Sequence, residues 1–149
     1  MHLISYDDPV KNTIKQIHAH GYTFGSIIPK EFFHEHFRLK TPRTAEDKVE
    51  YDVLYMNYMG ELRAKLLNDS KFLLVPKNGI GQEIIEPKEQ TGYSTDEFKR
   101  EINKIYRKTR DRLLNIDMTT LSDIEKKENS DAIAKLSFFA NRRIKRLGW

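Results

Sequence analysis

The chain has 149 residues, of which 38% are apolar and 32% charged, enough for one ordinary domain or a small domain with a helical extension. It has no cysteine, which excludes disulfides, thiol catalysis and cysteine metal sites and fits a reducing cytoplasm. The net charge of +4 is unevenly spread: residues 1–93 hold 12 Lys/Arg against 13 Asp/Glu, and residues 94–149 hold 14 against 9, so the whole excess lies in the last third and points to an acidic partner.

In chain order, the start "MHLISYDDPV" has neither a basic first segment nor an apolar stretch, and is read as no secretory leader. The first helix opens at "DDPVKNTIKQIHAHG". Asp8 suits the cap, Pro9 the first helical position and Gly21 the position past the end. Val10, Ile14 and Ile17 recur at helical spacing and mark its core face. A second helix starts at Pro29, with Phe32, Phe33 and Phe37 on its buried side. A third begins near Thr44, where Asp47 three residues on makes a weaker version of the capping box, and runs to about Asn68. Along it Tyr51, Tyr55, Met59, Leu62 and Leu66 form an apolar stripe, read as core.

"KFLLVPKNGIGQEIIEP" places two strand-like runs around Asn78-Gly79, a strong hairpin signal. Gly81 is expected to add a bulge, and Pro76 and Pro87 to sit at strand margins. Two further helices follow, over about 95–116 and 123–147. Their capping boxes are Ser94 with Glu97 and Ser122 with Glu125, and Gly148 is the stop. The short link "NIDMTTLS" makes them an antiparallel pair. No stretch is apolar for long enough to cross a membrane.

The fold class is therefore mainly α with a small β-hairpin. Residues 1–90 read as a winged helix-turn-helix-like part, with "YTF" at 22–24 as its extra strand. Residues 91–149 read as a basic helical-hairpin extension. "GYTFGSIIPKEFF", the hairpin with its trailing "IIEPKEQT", and "LSDIEKKENSDAIAKLSFF" together resemble a family of small, largely uncharacterised phage-encoded proteins. The likeness covers about residues 10–140. It implies a phage origin, hence the cytoplasm of a bacterial host, and a winged-helix-like start. It implies no activity that can be carried over residue by residue.

Reaction chemistry is hard to place. His2, His18, His20, His34 and His36 include two H-x-H pairs, but residues two apart point to different sides of a helix, and surface positions are expected. "NGIGQE" has a G-x-G without the third glycine of a dinucleotide site. The carboxylates Glu31, Glu35, Asp47, Glu50 and Asp52 are common company in a charged helical protein. No enzyme, cofactor or metal is expected.

The fourth helix is more informative. Phe98, Ile102, Ile105, Tyr106, Thr109, Leu113 and Ile116 gather within roughly 100° of arc. Lys99, Arg100, Lys104, Arg107, Lys108, Arg110 and Arg112 fill nearly all the rest. A merely solvated face usually mixes signs, whereas this one is arginine-rich and suited to phosphate. The expectation is backbone binding to nucleic acid, most simply duplex DNA. It rests on Arg100, Lys104, Arg107, Lys108 and Arg110, on Arg142, Arg143 and Arg146 of the closing "NRRIKRLGW", and on Lys77 at the hairpin tip, with Lys71 nearby. The acidic start of the third helix, "TAEDKVEYD", argues against standard major-groove docking. The alternative is an inhibitor that occupies a host or defence protein. Such a partner would offer an acidic patch to the basic helices, or a basic patch to that acidic start.

Overall fold

The structure, a computed structural model, describes residues 8–146, and the side chains of 142–146 lie outside the description. The chain divides into two compact units, one ending at Thr91 and the other beginning at Gly92.

In the first unit, Asp8 accepts from the Val10 amide at 3.0 Å and starts α1 (Pro9–Ala19). Beyond its end Gly21 takes φ +72°, the left-handed conformation that glycine tolerates. Strand β1 (Ile27–Pro29) leads directly into α2 (Lys30–His36). Helix α3 (Ala45–Ser70) opens on the expected capping box: the Asp47 amide donates to Thr44 Oγ1 at 3.1 Å, and the Asp47 carboxylate accepts from the Thr44 amide at 3.1 Å. Lys71, at φ +62°, turns the chain out of the helix. Val10, Ile17, Phe33, Phe37, Leu62 and Leu66 are almost wholly buried where the three helices meet. Each contributes roughly 1.5–3 kcal/mol of transfer free energy. Tyr51 and Tyr55 of the anticipated stripe are only half-buried.

Strands β2 (Leu74–Lys77) and β3 (Gly81–Ile84) pair antiparallel with Leu74 opposite Ile84 and Lys77 opposite Gly81. Gly79 alone of the Asn-Gly pair has positive φ, and the Ile80 amide closes the turn on the Lys77 carbonyl at 3.1 Å. The extra strand is Ile27–Pro29 rather than 22–24. It pairs with the free edge of β3, giving the order β1-β3-β2. This is the arrangement of a winged helix. Gly81 makes no bulge: its register with Lys77 is regular. A Cβ there would run into the Ile28 carbonyl oxygen, so the glycine is explained by the close approach of β1. Pro76 lies inside β2 rather than at its margin, and β2 is an edge strand, where a missing donor is tolerated.

Helix α4 is Pro87–Leu114, so it begins well before Ser94, and Ser94 is an interior residue rather than a cap. Pro87, expected at a strand margin, sits at the helix's first position, which its fixed φ favours. Gln90 fastens that first turn within the first unit by donating to the Lys71 carbonyl at 3.2 Å.

In the second unit, a short 3-10 turn at Met118–Thr120 leads to α5 (Asp123–Arg146). The Ser122 and Glu125 capping box is present: the Ser122 amide donates to the Glu125 carboxylate at 2.8 Å, and the Glu125 amide donates to Ser122 Oγ at 3.3 Å. Asn129 reaches back to donate to the Leu113 carbonyl at 3.3 Å. The half-buried residues of α4 (Ile102, Tyr106, Thr109, Leu113) share one face, as do Ala132, Ile133, Leu136 and Ala140 of α5. None of the second unit's described residues is fully buried.

Candidate nucleic-acid interface

Alternation of apolar and basic residues along α4 leaves its basic side in water. Arg100, Lys104 and Arg107 follow at steps of four and three, so they stand one above another on successive turns. With Asn103 they line a shallow depression of about 340 Å3. Lys108 and Arg110 flank this row, and both are exposed. Lys104 stands 4.0 Å from Glu101, a contact too long and too exposed to neutralise it. Among the described residues, no carboxylate pairs with Arg100, Arg107, Lys108 or Arg110. Three guanidinium groups and two ammonium groups are thereby available on one helix.

Not every expected cation joins this surface. Lys77 is exposed at the end of β2, but its ammonium sits 2.6 Å from Glu83 on the neighbouring strand, which partly offsets its charge. Lys71 donates to the Asn68 carbonyl at 2.8 Å and serves the end of α3. Arg142, Arg143 and Arg146 fall on the α5 backbone, and their side chains lie outside the described residues, as do Gly148 and Trp149.

The acidic start of α3 has a different chemistry. Asp47 accepts from the amides of Arg43 and Thr44, and these two bonds hold its carboxyl below its ordinary range. It is therefore a helix cap, leaving Glu46, Glu50 and Asp52 as the outward acids; Asp52 pairs with Lys48. A groove of about 670 Å3 lies between this half of α3 and the segment 37–43. Its floor includes Phe37, Leu54 and Tyr58, and its rim mixes Arg38, Lys40 and Arg43 with Glu50.

The four described histidines serve local packing. His34 Nδ1 lies 3.1 Å from the Tyr51 hydroxyl, and His18 Nε2 lies 3.2 Å from Ser70 Oγ. His20 and His36 stand against the ring of Phe32. Among the described residues, no three His, Asp or Glu side chains converge as a metal site would require. No helix among them is long and apolar enough to cross a membrane.

Helix α3 also carries a second apolar row that its tyrosine stripe does not include. Val49, Val53 and Met56 point outward from α3, on the side away from the tyrosine stripe. In the sequence its signal is a four-three spacing, masked by the longer stripe beside it. No family model, curated protein or solved structure matches this chain.

Proposed function

We propose that the protein is a non-enzymatic, phage-type nucleic-acid-binding protein that grips the phosphate backbone of duplex DNA in the cytoplasm of a bacterial host. The observation that carries this reading is the row Arg100, Lys104 and Arg107 on successive turns of α4, concave and widened by Lys108 and Arg110. Arginine forks match phosphate oxygens in pairs, and a one-signed face gains more from phosphates than from water. The first half of α3, where a winged helix would place its base-reading contacts, instead exposes acids. The expected binding is therefore electrostatic and indifferent to sequence. Lys77 plays a lesser part, because Glu83 must be displaced or tolerated.

The exposed acids Glu46 and Glu50 favour a second reading, an inhibitor that meets a basic patch on a host protein. A mobility shift of a short duplex at several salt concentrations tests the first. Five phosphate contacts predict a slope of log K against log salt near −4.5, from about 0.9 per contact. A duplex that stays unshifted at low salt, with the protein in micromolar excess, contradicts it.

A further inference from the structure

Helix α3 is apolar on two sides. One side supplies Met59, Leu62 and Leu66 to the core. The other carries Val49, Val53 and Met56, which are 64%, 53% and 71% exposed, and ends at Leu67, 42% exposed. Between them comes Gly60. The steps from Val49 through Val53, Met56 and Gly60 to Leu67 are four, three, four and seven, the 3.5-residue repeat of a helix that packs against another helix. The row spans about 27 Å at 1.5 Å per residue.

Gly60 is the telling position. It lies in the interior of a 26-residue helix, where glycine is unfavourable. Its φ is not left-handed, and a Cβ placed there would meet nothing within 4 Å. Nothing among the described residues accounts for the missing side chain. A helix approaching from outside would account for it.

We infer that this face of α3 docks antiparallel against the same face of a second copy of the chain. The antiparallel direction is the one that matches large side chains to small in this row. With the two-fold axis near residue 58, Met56 of each copy enters the hollow over Gly60 of the other. Val49 then meets Leu67, and Val53 lies along the apolar stem of Arg63. The charges agree. Asp52 and Arg63 flank the row on the same side and eleven residues apart, so the antiparallel pair sets Asp52 of each copy beside Arg63 of the other. Arg63 donates to Gln82 at 2.7 Å through one terminal nitrogen and its Nε is buried, so the other terminal nitrogen is the donor open to a second copy, and Asp52 would accept from it beside its own Lys48. A parallel pair would instead stack Gly60 on Gly60 and turn the flank that carries Asp52 in each copy towards the flank that carries Glu50 in the other.

Sedimentation velocity on the full chain over a range of concentrations tests this. The wild-type chain is expected to be a dimer. Gly60→Leu, which fits the open space of the single chain and favours the helix, is expected to weaken the dimer roughly tenfold or more by filling the hollow that Met56 occupies. Met56→Glu is expected to do the same. Both should keep the helical circular dichroism of the wild type. Asp52→Asn gives the direction: it weakens an antiparallel dimer and tightens a parallel one, where it removes acid facing acid. A wild-type chain that sediments as a monomer overturns the inference and leaves the face to some other partner. So does a dimer indifferent to Gly60→Leu and Met56→Glu, or one tightened by Asp52→Asn.

Discussion

The two units of this protein hold themselves together by different means. In the first, three helices and a three-stranded sheet close around side chains such as Phe33, Leu62 and Ile84, which keep no contact with water. In the second, two long helices share a half-open apolar seam, and none of its described residues is fully buried. The first unit is stabilised chiefly by burial. The second relies more on helix propensity, caps and a thin strip of packing, which is why it can devote most of its circumference to charge. A scaffold and a charged surface are thus divided between units, with α4 starting in one and running on through the other.

Core truncation gives the largest expected contrast. Phe33→Ala should cost about 3–5 kcal/mol in thermal or denaturant unfolding, because it opens a cavity in a closed core. Leu113→Ala should cost less than about 1.5 kcal/mol, since a half-exposed side chain forgoes only part of its transfer free energy. Hydrogen exchange should agree, with amides of α5 opening at free energies well below those around Leu62. Equal losses for the two variants would erase the distinction between the units.

The caps give a smaller effect that reaches both units. Thr44→Ala and Ser122→Ala should each cost about 1 kcal/mol, by leaving helix-end amides without an acceptor. Their acidic partners add a pH dependence. Hydrogen bonds from Arg43 and Thr44 lower the Asp47 carboxyl below its ordinary 3.8, and Ser122 does the same to Glu125 below 4.5. A carboxyl lowered on folding adds stability that is fully present above its unfolded value and is lost as pH falls through its folded one. Acid unfolding should therefore accelerate below about pH 4. Asp47→Asn and Glu125→Gln should each flatten that acid limb, and a limb unchanged in both would show that the caps do not contribute there.

Most of the fold was legible because its signals are local. Asp8, the Thr44 and Asp47 pair and the Ser122 and Glu125 pair each bond within four residues, so the sequence carries the whole interaction. Ser94 and Glu97 match the same pattern, yet α4 runs straight through them. Its start is decided upstream by Pro87 and by the reach of Gln90 to Lys71, a contact across 19 residues. Strand β1 was misplaced for a similar reason: which short run pairs with β3 depends on an edge that exists only once the hairpin has formed. Gly81 looked like a bulge because its neighbour, the Ile28 carbonyl, is distant in sequence. Of the candidate interface, the one-signed face of α4 could be read from the helical period alone. The pairing of Lys77 with Glu83 could not, because it crosses the hairpin.

The central claim is that charge on the second unit binds phosphate while acid on the first opposes it. The most direct measurement is duplex affinity at one fixed, low salt concentration for two charge reversals. Arg107→Glu with Arg110→Glu changes only exposed positions of α4 and should weaken binding by roughly tenfold or more, with helical content unchanged. Glu46→Lys with Glu50→Lys should tighten it, since two repulsive charges become attractive. Unchanged affinity in the arginine variant, or looser binding in the lysine variant, would contradict the account.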